Sequence, residues 1–263
     1  MISNHEIDYK IYGEELQFVE IELDPNETAI AESGAFMMMD NGIEMQTMFG
    51  DGSQQQGGLL GKLLSAGKRL IVGESLFMTA FTNAGQGKKR VSFAAPYTGK
   101  IIVFDLQKLG GKIIAQKDAF LCAAKGVSIG IEFQKRLGTG IFGGEGFIME
   151  KLEGDGLAFA HAGGYIIERE LQPGEILKVD TGCIVAYTPS VDFDIEMVRG
   201  IKNWMFGGEG LFFAKLQGPG KVWLQSLPIS RLAGRIMQYG SFGGRKEEGS
   251  ILGGLGNLLD GRE

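Results

Sequence analysis

The sequence predicts an all-β fold built from tandem hairpins, and three observations carry that prediction. The chain repeats itself: Phe142-Gly143-Gly144-Glu145-Gly146 returns as Phe206-Gly207-Gly208-Glu209-Gly210, 64 residues on. A looser copy, Gly73-Glu74-Ser75, lies 71 residues before the first. Self-similarity at a spacing of this size is the mark of repeated architecture. Around each copy, apolar and polar residues alternate, which puts one face in a core and the other toward water. Finally, 43 glycines against 6 prolines punctuate those runs as tight turns, not as a disordered linker.

Each unit opens on a turn: Asp24-Pro25-Asn26, Gly110-Gly111 and Pro173-Gly174 hold good turn formers. A matched pair of strands follows, in which Ala31, Ala115 and Val179 correspond, as do Phe36, Phe120 and Ile184. Next comes the alternating strand. It carries Ile43, Met45 and Phe49 in the first unit, Val127, Ile129, Ile131 and Phe133 in the second, and Val191, Phe193, Ile195 and Met197 in the third. The Gly-Glu turn leads into a strand, a glycine hairpin and a returning strand: Ser75–Asn83 with Gly85-Gln86-Gly87, Gly146–Glu153 with Gly154-Asp155-Gly156, and Gly210–Gln217 with Gly218-Pro219-Gly220.

The units span residues 15–98, 99–162 and 163–228. Hairpin units of this length have little core of their own, so the expectation is one triplicated β domain over 1–228. Its units are expected to pack around a pseudo-threefold axis and share an interior. Two segments lie outside the repeat. The first unit carries a Gly/Gln insertion over 50–62, running into the apolar piece Leu59–Leu64. The tail, 229–263, begins with Ile229, Leu232, Ile236 and Met237 at helical spacing and ends in the glycine-weakened leucine segment 251–259.

A net charge of -6, from 26 basic and 32 acidic residues, argues against generic duplex nucleic-acid binding, which needs a basic face. Two cysteines, Cys122 and Cys183, are too few for a disulfide framework or zinc cluster, and each lies in an apolar stretch that reads as a buried free thiol. The first residues lack a basic and an apolar signal region, and no run approaches a membrane span. A cytoplasmic location is expected.

Several co-ordered motifs resemble those of one family: Gly73-Glu74-Ser75-Leu76-Phe77, Val179-Asp180-Thr181-Gly182, Phe206-Gly207-Gly208-Glu209-Gly210-Leu211 and Gly218-Pro219-Gly220-Lys221-Val222-Trp223-Leu224-Gln225. This is the widespread bacterial family related to the yeast altered-inheritance-of-mitochondria proteins, and the resemblance covers nearly all of residues 1–240. It implies an all-β fold like that of the tryptophan-activated RNA-binding attenuation protein, of double-stranded β-helix or sandwich type, with several such units in one chain. The mitochondrial relatives are linked to inner-membrane organisation. The bacterial members have no established reaction, and the resemblance supplies no catalytic residues.

The sharpest candidate site is the set Glu74, Glu145 and Glu209. Gathered at a pseudo-threefold axis, three carboxylates suit a hard cation such as calcium or magnesium. The plainer reading, which we prefer, is that each accepts amide hydrogen bonds at its glycine turn. No Gly-Lys-Ser/Thr follows these glycines, which excludes a P-loop. His5 and His161 are the only histidines, too few for a triad or a two-histidine metal site. Asp192 and Asp194 read as a solvated strand face. Phe93, Phe147, Phe159, Phe212, Phe213 and Trp223 read as core in preference to a base-stacking platform, since Lys88-Lys89-Arg90 is a single basic hairpin.

No cofactor and no catalytic set are expected. The functional expectation is a non-enzymatic cytoplasmic β scaffold that acts through its loops and tail, as a homo-oligomer or with a protein partner. The apolar segments 59–64 and 251–259 are the expected docking elements, with a membrane surface not favoured. The alternative is a small-molecule, cation or single-stranded RNA binding module with its site between repeats.

Overall fold

A computed structural model describes residues 6–32, 34–49, 77–135, 147–197 and 212–240. A first strand, β1 (Asp8–Tyr12), precedes three consecutive sets of six. The first set is β2 (Phe18–Leu23), β3 (Thr28–Glu32), β4 (Phe36–Met39), β5 (Ile43–Phe49), β6 (Phe77–Asn83) and β7 (Lys89–Ala94). The second is β8 (Gly99–Asp105), β9 (Lys112–Gln116), β10 (Phe120–Ala124), β11 (Ser128–Lys135), β12 (Phe147–Glu153) and β13 (Leu157–Gly163). The third is β14 (Ile166–Leu171), β15 (Ile176–Asp180), β16 (Ile184–Tyr187), β17 (Asp192–Met197), β18 (Phe212–Gln217) and β19 (Gly220–Gln225). A helix, α1 (Ile229–Gly240), follows, as the spacing of Ile229, Leu232 and Ile236 predicts. Among the described residues no helix is long and apolar enough to cross a membrane.

Each set splits between two sheets. Its first, sixth and third strands pair in that order, as in β8-β13-β10, and its fourth, fifth and second pair as in β11-β12-β9. Neighbouring sets join where the second strand of one pairs with the third strand of the next: β3 with β10, and β9 with β16. The result is four sheets, ordered β1-β2-β7-β4, β5-β6-β3-β10-β13-β8, β11-β12-β9-β16-β19-β14 and β15-β18-β17. A closed ring of three would need one further ladder, between β15 and β4. Among the described residues both strands are sheet edges, so the pairing does not establish the expected threefold axis.

The cores lie between successive sheets. Val19, Ile21, Val91 and Phe93 of the first sheet pack against Phe81, Leu121, Cys122 and Phe159 of the second. From its other face the second sheet sends Ile30, Phe104, Phe120 and Ala123 against Ile113, Ala115, Val185 and Trp223 of the third. The third then sends Ile114, Phe147, Met149 and Tyr187 against Ile195, Ala214 and Leu216 of the last. Both inner sheets are therefore covered on two faces, and their central strands are mostly apolar, with many alanines that let the layers approach.

Backbone contact is closest at Gly163 and Gly99. A Cβ on Gly163 would stand 2.0 Å from the Leu227 carbonyl oxygen, and one on Gly99 2.0 Å from that of Ala162, so only glycine fits. Beside them the buried Gln225 accepts from Gly163 N at 2.7 Å and donates to the Gly182 carbonyl at 2.9 Å. Alternation fails in two predicted strands: Met45, placed in the core phase of β5, is exposed, and a bulge between Ile131 and Phe133 shifts the register of β11 on β12. Ile131, read as core, is exposed there.

Candidate functional site

Glu74, Glu145 and Glu209 lie outside the described residues, as do the 50–62 insertion, Leu59–Leu64 and the 251–259 segment. Among the described residues no group of three or more histidine, cysteine or acidic side chains is placed to hold a metal. The remaining chemical candidates resolve individually.

His161, on β13, is 1% exposed. Among the described residues neither ring nitrogen has a well-formed hydrogen bond, and the ring meets Tyr97 edge-on with centroids 4.4 Å apart. Burial pushes its pKa down to about 4 and that of Tyr97 up to about 12, with the Asp118 charge adding to the latter. Both are neutral at pH 7, and an imidazole so weakly basic is a poor proton acceptor. Cys122 is fully buried and its thiol is pushed well up by desolvation. Cys183 is only half-buried, with Sγ 3.7 Å from an Arg231 guanidinium nitrogen. Burial raises its pKa too, ahead of Asp180, so neither thiol is an activated nucleophile.

Asp192 and Asp194 are exposed on β17, as the alternation requires. Phe93, Phe147 and Phe159 are fully buried and Trp223 nearly so, while Phe212 and Phe213 are half-buried. The aromatic set packs cores and forms no open stacking platform. The basic hairpin is occupied as well: Lys88 Nζ lies 2.8 Å from Glu22 and 3.2 Å from Asp8, and Arg90 3.0 Å from Glu22.

What remains is a surface. In β4, Phe36, Met37, Met38 and Met39 are 40%, 48%, 44% and 39% exposed. Their strand pairs with β7 on one side, and no described strand pairs on the other. Asp40 ends the strand by accepting from Arg90 N at 2.9 Å, and Phe36 stacks on Phe81 with centroids 5.5 Å apart. At the opposite end of the sheet series, β15 pairs only with β18, and its Ile176 is 51% exposed. A flat apolar edge with unpaired backbone groups is a template for another strand. Sequence reasoning identified Phe36 as the counterpart of Phe120 and Ile184, both of which are buried where Phe36 is exposed. The difference is that, among the described residues, β4 has no second strand of another set beside it.

Comparison with known proteins agrees with this architecture. The chain is 28% identical over 224 residues to an uncharacterised protein of Streptococcus pyogenes serotype M6, covering 84% of this chain and 86% of that one. A crystal structure of a Streptococcus pyogenes protein has the same fold, with a TM-score of 0.68 at 22% identity over 89% of this chain and all of that one. Residues 9–227 match the family model described as mitochondrial biogenesis AIM24. With that match spanning most of its length, the chain belongs to the AIM24 family.

Proposed function

We propose that this chain is a non-enzymatic assembly scaffold: a repeated β domain that associates with further copies or a protein partner and presents its loops and tail. One observation carries the reading. Four consecutive large apolar side chains, Phe36–Met39, stand exposed on a sheet edge, where an unassembled protein ordinarily places charge, proline or a cover. The neutral His161 and the protonated thiols support a non-enzymatic role, since neither supplies a base or nucleophile near neutral pH. Free cysteines support a reducing, cytoplasmic setting. Ion pairing of Lys88 and Arg90 speaks against the single-stranded RNA alternative.

Light scattering on the full chain tests the proposal. A mass of two or more chains is expected, falling to one in Met37→Glu/Met39→Glu with the circular dichroism unchanged. A single-chain mass at every concentration, with no partner retained, contradicts it.

A further inference from the structure

We infer that β4 of one copy pairs with β15 of a second copy, antiparallel and head to tail, forming between chains the junction that each chain already forms twice within itself. The inference rests on the scaffold reading above and names its contact.

The junction is a defined object. In both internal examples the second strand of a set meets the third strand of the next: β3 with β10 and β9 with β16. The third strands share a signature, a bulge against their sixth-strand neighbour one residue in. It falls between Phe120 and Cys122, between Ile184 and Ala186, and in β4 between Phe36 and Met38. Thus β4 has the geometry of a third strand that lacks its second-strand partner. The converse holds for β15: it pairs with β18 through Val179 and Ala214 as β3 pairs with β6 through Ala31 and Thr79, and β9 with β12 through Ala115 and Glu150. Among the described residues one strand of each kind is paired on one side only, β4 on the first sheet and β15 on the last.

Burial separates the used strands from the unused. All residues of β10 and β16 are buried, and all four of β4 are exposed. The second strands follow suit, with β3 and β9 largely buried and β15 half to fully exposed. Among the described residues no core cluster combines side chains of the first and last sheets, which favours a second copy over the chain's own end as the occupant. A contact between different surfaces of identical chains propagates, giving a ring or a filament.

The internal junctions also fix the register. Cys122 faces Ala31 and Ala123 faces Ile30, while Ala186 faces Ala115 and Tyr187 faces Ile114. Met38 occupies the place of Cys122 and Ala186, and Val179 that of Ala31 and Ala115, so Met38 lies opposite Val179 and Met39 opposite Lys178. Lys178 stands where Ile30 and Ile114 are buried. In the single chain it forms an ion pair with Glu196, so the second copy would cover a paired charge where the internal junctions cover isoleucine.

Opposed positions of an antiparallel pair have Cα separations that a disulfide spans. In a Cys183→Ser background, Met38→Cys and Val179→Cys are placed on separate full-length chains, mixed and mildly oxidised, with each mass followed by light scattering. The expected result is a disulfide-linked heterodimer only in the mixture, lost when Met39→Cys replaces Met38→Cys, because adjacent residues point to opposite faces. An oligomeric mass without the Met38–Val179 crosslink overturns the inference and leaves the scaffold reading standing. A single-chain mass at every concentration overturns the inference, and with no partner retained the scaffold reading falls with it. A doubly substituted chain that closes on itself, with no heterodimer from the mixture, places β4 against its own β15 and overturns the second-copy assignment.

Discussion

Strands β10 and β4 hold the same place in successive sets, carry the same bulge, and differ in almost everything else. In β10, Cys122, Ala123 and Ala124 lie between two ladders and two layers and are fully buried. Their small size fits a strand pressed by cores on both faces. In β4 the places of Leu121, Cys122 and Ala123 are held by Met37, Met38 and Met39, long and unbranched, with a ladder on one side only among the described residues. Methionine tolerates exposure and adapts to whatever later packs on it. The contrast teaches that an apolar strand reports that something covers it, while the size of its side chains reports whether the cover is permanent.

The largest effect is expected beneath β4. Phe81 is fully buried and touches the rings of both Phe36 and Phe93. Phe81→Ala should cost about 3–5 kcal/mol in denaturant unfolding; a loss below about 1 kcal/mol would mean that the first core does not depend on it.

Next is the double cover over the inner sheet. His161 sits in β13, the ladder neighbour of β10, facing Tyr97 with Asp118 nearby. Its folded pKa, about 4, lies below the ordinary value of 6.5, so the unfolded chain takes up the proton first. Stability is therefore full above pH 6.5 and falls as pH drops toward 4, by about 2 kcal/mol at pH 5. The lowered carboxylates Glu22, Asp105, Glu168 and Glu175 add their loss at lower pH, beginning in the usual carboxylate range and continuing below it. Urea midpoints at pH 7.5 and 5 should differ in the native protein and converge in His161→Leu.

A reciprocal exchange sharpens the strand comparison directly. Ala123→Met, which gives β10 the residue β4 has at Met39, should overpack the doubly covered strand at a cost of about 1–3 kcal/mol. Met39→Ala, the reverse, should change the stability of the isolated chain by no more than about 0.5 kcal/mol. Equal penalties at the two positions would show that β4 is as enclosed as β10.

Much of this fold could be read from the residues, because period-2 alternation and a glycine-marked repeat place strands without knowledge of their neighbours. The matches of Ala31, Ala115 and Val179, and of Phe36, Phe120 and Ile184, are those the ladders make. Pairing across sets was not readable: a junction strand and an open edge have the same apolar composition, and Phe36–Met39 looks as buried as Phe120–Ala124. The exposure of Ile131 was equally hidden, since a bulge leaves no mark in the pattern. The β1 strand went unread because Asp8–Tyr12 is short and pairs only with β2.

Hydrogen exchange as a function of protein concentration tests the central claim most directly. If β4 and β15 pair between copies, amides in 36–40 and 176–180 should gain protection together as concentration rises, while those of β10 stay protected throughout. Unchanged exchange in both segments, under conditions where the protein is oligomeric, would contradict it and place the contact elsewhere.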